Sequence, residues 1–259
     1  MKTAVISMFA AMSLFAQQRP TLDIAANGGR QIELPQGWPL LVQGLLRPPP
    51  DTAGSFLLAP PGTAWFDAIQ FRVSSPAGEV AGWNLKLTAV REGAELTLAA
   101  NQFAMLGWYL NAESTSNLPA GVFQLTAVLE VKEGPGWQGS IRSVPVEIKV
   151  IPVPEALSPQ QEVERARLRM QAALVEGQME EAERIIDALL EAQPSSVYGL
   201  QAKAMLLERQ GLTSIALAFA SCALAEFRKQ NPQAPEPPSG LHHLVTRLRK
   251  AAETQEGTP

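Results

Sequence analysis

The sequence predicts a two-part protein, with an all-β region in the amino-terminal half and an all-α region in the carboxyl-terminal half. Before Pro152, apolar residues alternate with polar ones, as in strands that bury one face. After Pro154 they recur at helical spacing instead. The chain of 259 residues is long enough for two domains, which we place at residues 20–153 and 158–253. The linker Ile151-Pro152-Val153-Pro154 joins them and is stiffened by two prolines.

An internal repeat organises the helical region. Gly177 and Ala182 recur 34 positions later, as Gly211 and Ala216. Each glycine follows an apolar helical pattern and predicts a break between two helices. The stretch Ser158-Pro159-Gln160-Gln161 offers an N-cap hydroxyl, a proline at the first helical position and a glutamine three residues after the cap. The pattern therefore predicts two consecutive helix hairpins.

A 34-residue period built from two helices resembles the tetratricopeptide repeat family. The matching positions are Met170, Gly177, Ala182, Pro194, Ala204, Gly211 and Ala216. Five positions depart from the family's pattern. Arg169 and Lys203 stand where the family usually has a leucine. Ala173 and Leu207 stand where it favours an aromatic residue, and Arg228 stands where a second proline is expected. That proline follows at Pro232, about one helical turn later.

The resemblance implies a binding surface and a protein partner. In that family the first helix of each repeat lines a concave groove that binds partner segments. The positions of this sequence that match the groove are Arg167, Gln171, Tyr198, Gln201 and Met205. The alternative is that these residues form an ordinary solvated helix face.

Two hairpins are fewer than the three or so repeats that form a stable array, so a further element is expected to cover them. The stretch Ser239 to Glu253 fits this role, since its apolar residues fall on one face of a helix. Those residues are Leu241, Leu244, Val245 and Leu248. The sequence therefore predicts a capping helix at the end of the array.

The amino-terminal half has strand patterns separated by turn residues. The clearest alternations run from Phe123 to Val131 and from Val144 to Val150. Turn chemistry such as Asn27-Gly28-Gly29 separates the strands. Seven or eight strands at this spacing predict a β-sandwich. The stretch Leu118-Pro119-Ala120-Gly121-Val122-Phe123 resembles the strand entry of bacterial immunoglobulin-like domains, which implies an immunoglobulin-like sandwich.

Two features of this half offer a second kind of function. Trp65 and Trp137 adjoin loops, and aromatic faces stack on sugar rings, so the alternative function is carbohydrate or ligand binding by the sandwich. Trp83 and Trp108 lie inside strand patterns and are expected in the core. The Pro-rich segment from Pro48 to Gly62 is expected to be an exposed connection that could carry binding.

The first 16 residues have the pattern of a secretory signal peptide. Lys2 gives the positive start, Thr3 to Phe15 the apolar run, and Ala16 a small residue before a cleavage site. The run is too short to span a bilayer, which needs about 20 apolar residues. The lone cysteine, Cys222, lies far from the run and is expected to be buried, so no lipid anchor is predicted. The expected location is the periplasm or the extracellular space.

The composition and motifs argue against several other functions. The formal net charge is −4 and no basic stripe occurs, which argues against a nucleic-acid partner. The only histidines, His242 and His243, are adjacent and diverge around a helix, so they do not form a metal pair. No catalytic or cofactor motif is found. We therefore expect neither an enzyme nor a cofactor, but a protein-interaction module.

Overall fold

The computed structural model describes residues 19–50, 55–81, 83–90, 93–234 and 236–256. It divides into two compact units, Met1–Val153 and Pro154–Pro259. The predicted signal peptide, residues 1–16, lies outside the described residues.

The first unit is β-rich. Its strands are β1 (Thr21–Ala26), β2 (Gln31–Pro35), β3 (Leu40–Arg47), β4 (Ser55–Leu58), β5 (Ile69–Ser75), β6 (Gly78–Val80), β7 (Lys86–Ala89), β8 (Leu96–Ala99), β9 (Ala104–Leu110), β10 (Gly121–Val131), β11 (Gly139–Arg142) and β12 (Val146–Ile151). A short helix, α1 (Ala112–Ser116), precedes β10. Seven or eight strands were expected, and the described residues contain twelve because several are short, such as the three-residue β6.

The strands form three sheets with different neighbours. One sheet has the order β1-β3-β9-β7, the second β2-β12-β10-β5-β6 with β11 also pairing to β10, and the third β4-β8. The pairing of β2 with β12 is parallel, whereas the others are antiparallel. Between β1 and β2 the chain leaves the first sheet for the second through Asn27 and Gly28, which have φ values of 45° and 88°. The tight turn depends on residues that tolerate the left-handed region.

The core of this unit follows the alternation in the sequence. The inward residues of β10 are all buried, namely Phe123, Leu125, Ala127, Leu129 and Val131. Phe71 of β5 contacts Trp108 of β9 edge to face, with ring centroids 4.8 Å apart, so side chains of the first two sheets meet. The alternation that begins at Val144 predicts an inward side chain there. This is wrong, because Val144 precedes β12 and is 56% exposed.

Part of the Pro-rich segment is a strand, while residues 51–54 of it lie outside the described residues. Its residues Ser55–Leu58 form β4, which pairs with β8 (Leu96–Ala99). Phe56 and Leu58 of this strand are buried. The expectation of an exposed connection is therefore wrong for this stretch, because a distant strand pairs with it.

The second unit is all helical. Its helices are α2 (Pro159–Val175), α3 (Met179–Ala192), α4 (Val197–Arg209), α5 (Thr213–Gln230) and α6 (Ser239–Glu256). The start of α2 is the predicted capping box. Ser158 Oγ accepts a hydrogen bond from the Gln161 amide at 3.3 Å, and Gln161 Oε1 accepts one from the Ser158 amide at 2.9 Å.

The two repeat glycines end α2 and α4 in the same way. Gly177 and Gly211 have φ values of 74° and 78°. The amide after each glycine donates to the carbonyl five residues back, Gln178 to Ala173 at 2.8 Å and Leu212 to Leu207 at 2.9 Å. This is the Schellman arrangement, in which a left-handed residue satisfies the last carbonyls of a helix. The two helix ends are therefore structurally equivalent.

The helices pack through small residues, as the repeat predicts. Ala182 and Ala216 are both fully buried. One apolar cluster joins α2, α3 and α4, and another joins α4, α5 and α6. α5 has 18 residues against 14 in α3, which accounts for the late position of Pro232.

The last helix covers the second hairpin, as expected. The four predicted inward residues of α6 belong to the apolar cluster that includes Leu200 and Ala220. The prediction that Cys222 is buried was wrong, because it lies on the exposed side of α5.

Candidate functional site

The five predicted groove residues lie on equivalent faces of α2 and α4. Arg167 and Gln171 lie on α2, and residues 34 positions later, Gln201 and Met205, lie on α4. Tyr198 lies in the first turn of α4. The spacing of 198, 201 and 205 places these side chains on one face of that helix.

The charge of Arg167 is matched within its own helix. Its Nε donates to Glu164 Oε2 at 2.7 Å, and its Nη2 donates to Glu164 Oε1 at 2.5 Å. Its Nη1 also donates to Gln171 Oε1 at 3.2 Å. The hydrogen bonds with Glu164 raise the pKa of Arg167, so the guanidinium stays charged and fixed in place. Polar contacts thus hold Arg167 and Gln171 together along α2.

Tyr198 joins this group from α4. Its hydroxyl contacts Met170 Sδ at 3.7 Å, which links the first helices of the two hairpins. The side chain is partly buried, and this burial raises the pKa of Tyr198 well above its ordinary value. The phenol therefore remains neutral at physiological pH.

Gln201 and Met205 continue the same face of α4. Gln201 is half-buried and its side chain lies close to α6. A Cβ placed on Gly240 of that helix would be 3.8 Å from Gln201 Nε2. Met205 is 40% exposed and is the outward apolar side chain of the group. The arrangement presents amide, phenol and thioether groups beside a neutralised ion pair.

A hollow of about 530 Å³ lies beside Tyr198. It is formed by the start of α2, the turn between α3 and α4, and the end of α5. Its lining includes Val163, Pro194, Val197 and Gln230. The hollow adds mixed apolar and polar surface next to the predicted groove.

Two residues that belong to this group were not predicted from the sequence. Glu164 precedes Arg167 by three positions, a spacing that favours an ion pair on a helix. Met170 is buried and accepts the contact from Tyr198. The first could have been found from spacing, whereas the second depends on how α2 and α4 pack.

Lys203, which stands where the tetratricopeptide pattern has a leucine, forms ion pairs with α3. Its Nζ lies 2.7 Å from Glu183 Oε1 and 2.8 Å from Asp187 Oδ1, both on α3. Burial is the largest single influence and lowers the pKa of Lys203, but hydrogen bonds with Asp187 and Glu183 more than offset it and raise the pKa. The hydrogen bond with Lys203 in turn lowers the pKa of Glu183. The lysine thus joins α3 to α4 through charge.

The two titratable groove residues, Arg167 and Tyr198, both have raised pKa values and keep their protons at neutral pH. Within the described part of the chain, no group of three or more His, Cys, Asp or Glu residues is placed to hold a metal ion. None of the helices described is both long and apolar enough to cross a membrane.

The tryptophans proposed for sugar binding differ in exposure. Trp65 is fully buried, so it offers no open face to a sugar and does not support the alternative of carbohydrate binding. Trp137 is partly buried, and its ring centroid lies 6.4 Å from that of Phe56. Trp83 and Trp108 are buried, as predicted.

No protein-family model matches this chain, and no curated protein sequence matches it. Among solved structures, it is similar to a family 123 glycoside hydrolase from Clostridium perfringens, with 8% identity and a TM-score of 0.35 over 68% of this chain and 36% of that one. It is also similar to BcpA, the major pilin subunit of Bacillus cereus, with 14% identity and a TM-score of 0.25 over 51% of this chain and 40% of that one. At such low TM-scores the likeness carries no argument about function.

Proposed function

We propose that the protein is an exported, non-catalytic interaction module that binds a protein partner through its helical unit. The binding surface consists of Arg167, Gln171, Tyr198, Gln201 and Met205. The proposal rests on the exposure of Met205, whose side chain is 40% exposed. The charged residue on the same surface, Arg167, is already paired with Glu164. A partner covering this face gains apolar burial and leaves no buried charge unpaired.

The helical unit is proposed to be a tetratricopeptide-like array of two hairpins with a capping helix. The equal geometry at Gly177 and Gly211 supports this, as does the burial of Ala182 and Ala216. A shared cluster of α4, α5 and α6 supports the role of the last helix. Repeats of this kind use one face of their first helices for binding, which is the face proposed here.

The β-rich unit is proposed to be an immunoglobulin-like sandwich. Its first sheet, β1-β3-β9-β7, has the neighbours of strands A, B, E and D in that fold. Its second sheet contains β12, β10 and β5 side by side, as strands G, F and C are. The contact between Phe71 and Trp108 supports the packing of the two sheets face to face.

Export is part of the proposal and depends on the pattern of residues 1–16. The mature protein recovered from outside the cytoplasm is expected to begin near Gln17. Amino-terminal sequencing tests this, and recovery of an uncleaved protein from the cytoplasm would contradict it.

Affinity capture from the exporting cell tests the binding surface. The wild-type protein is expected to retain a partner at a fixed stoichiometry, and Met205→Glu is expected to lose it. Ile215→Glu is the matched control, because Ile215 is 50% exposed on α5, away from the proposed face. Retention of the partner by Met205→Glu, or equal loss in both variants, would contradict the proposal.

The second candidate function is carbohydrate binding by the β-rich unit, and the partly exposed ring of Trp137 is the observation that favours it. Binding on a glycan array that disappears in Trp137→Ala would support this function. An array without any bound glycan would eliminate it.

A further inference from the structure

Two of the strands in the β-rich unit that have an edge without a neighbouring strand, among the described residues, are β1 and β11. β1 lies at one end of its sheet, and β11 pairs with β10 on one side. β2 covers the edge of β12 by pairing Gln31–Pro35 with Glu147–Ile151, so it does not extend along β11 (Gly139–Arg142). A free strand edge presents backbone amides and carbonyls that can pair with another extended chain.

A cleft lies between these two edges. It has a volume of about 510 Å³ and is lined by residues from both strands and the segments beside them. Leu22 of β1 and Ile141 of β11 are the apolar residues of the lining that are largely buried. Val144 also lines the cleft and is 56% exposed. The cleft therefore combines a free strand edge with the exposed apolar side chain of Val144.

The cleft is basic although the chain as a whole is acidic. Arg19 and Arg142 line it, are exposed, and form no ion pair within the described residues. The carboxylate of Asp23, which also lines it, is bound by Arg30 at 3.2 Å and Arg47 at 2.8 Å. The cleft thus has two exposed arginines without an ion pair, and its one carboxylate is already bound, in a chain with a formal net charge of −4. The unpaired charges of this surface favour an anionic partner.

We propose that this cleft, between β1 and β11, binds an extended acidic segment of a partner protein by strand addition. The segment pairs with the backbone edge of β11 and directs alternate carboxylates toward Arg19 and Arg142. Its remaining side chains cover the exposed Val144. Because successive side chains of a strand point to opposite faces, a segment that alternates acidic and apolar residues fits both requirements. This surface lies on the β-rich unit and does not depend on the function proposed for the helical unit.

The backbone edge favours a peptide over other anions. A strand edge alternates hydrogen-bond donors and acceptors, which an extended peptide matches in register. A nucleic acid or an anionic membrane uses the positive charge but leaves these backbone groups unpaired.

The test measures binding of a fluorescent six-residue peptide of alternating valine and glutamate to the exported full chain, by fluorescence anisotropy. Arg142→Glu is expected to weaken binding on the order of tenfold or more, the usual worth of a charge-assisted hydrogen bond. Arg72→Glu is the matched control, since Arg72 is an exposed arginine on β5 outside the cleft. It is expected to leave the affinity within about twofold, the effect of a distant surface charge.

Backbone methylation of the peptide separates strand addition from simple charge attraction. Methylating the amides along one edge is expected to abolish binding, whereas methylating those along the other edge leaves it. Equal binding by both methylated peptides, or equal loss in Arg142→Glu and Arg72→Glu, would overturn the proposal. So would binding of a single-stranded oligonucleotide or anionic vesicles without binding of the peptide. A dimer of the chain that forms without peptide and dissociates in Arg142→Glu would also overturn it, because a second copy would then occupy the cleft.

Discussion

Alanine in place of the two repeat glycines tests whether the hairpins are equivalent. Gly177 and Gly211 have φ values of 74° and 78°, in the left-handed region that favours glycine. A Cβ built at either position has no atom within 4 Å, so alanine adds backbone strain but no clash. The strain of a left-handed residue is about 1–2 kcal/mol. Because both glycines end a helix in the same motif, the two substitutions should lower the free energy of unfolding by equal amounts.

The assay is urea unfolding followed by far-ultraviolet circular dichroism, which reports mainly on the helical unit. Gly177→Ala and Gly211→Ala are each expected to lower the free energy of unfolding by about 1–2 kcal/mol. Asparagine at either position should recover part of the loss, because it tolerates the left-handed conformation better than alanine does.

Gly240→Ala is the matched control. Gly240 lies in the first turn of α6, and a Cβ there is in ordinary contact with Gln201 at 3.8 Å. Alanine at this helical position is expected to raise stability by up to about 1 kcal/mol. The reasoning is refuted if one repeat glycine tolerates alanine as well as Gly240 does while the other does not.

Three further predictions concern the packing of each unit. Lys203→Met should destabilise the helical unit by up to about 1 kcal/mol, because Glu183 and Asp187 lose their hydrogen-bonded cation but keep contact with solvent. Since the folded-state pKa of Glu183 is lowered from 4.5, the stabilisation by this pair is complete above pH 4.5 and is lost as pH falls through the folded-state pKa. Acid titration of unfolding should show this loss in the wild type and a weaker one in Lys203→Met, and identical profiles would contradict it. Trp65→Ala should cost about 3–5 kcal/mol in thermal or urea unfolding, whereas Trp137→Ala should cost about 1 kcal/mol, because only the first ring is fully buried. Leu248→Ala should cost about 2–5 kcal/mol if α6 caps the second hairpin, and a neutral result would show that this helix is not part of the core.

Local patterns predicted those parts of the fold that depend on neighbours in sequence. The capping box at Ser158 and the helix ends at Gly177 and Gly211 are fixed by residues within one or two turns, so the sequence displays them directly. The alternation of β10 is equally local, since one buried face imposes a period of two.

Features that depend on distant partners were not predicted. β4 (Ser55–Leu58) is a strand because β8 pairs with it, and no local pattern in a Pro-rich segment indicates this. Cys222 is exposed, although its apolar sequence neighbours suggested a buried side chain. In the site, spacing indicated which side chains share a helix face, but the contact of Tyr198 with Met170 required the packing of two helices.

The most direct test of the proposed function is site-specific photo-crosslinking in the exporting cell. A photoreactive amino acid at position 205 is expected to form a covalent product with a single protein partner, and the same amino acid at position 215 is expected to form none. Both positions are exposed, so the difference reports on the binding face rather than on accessibility. No product at position 205, or the same products at both positions, would contradict binding through this face of α4.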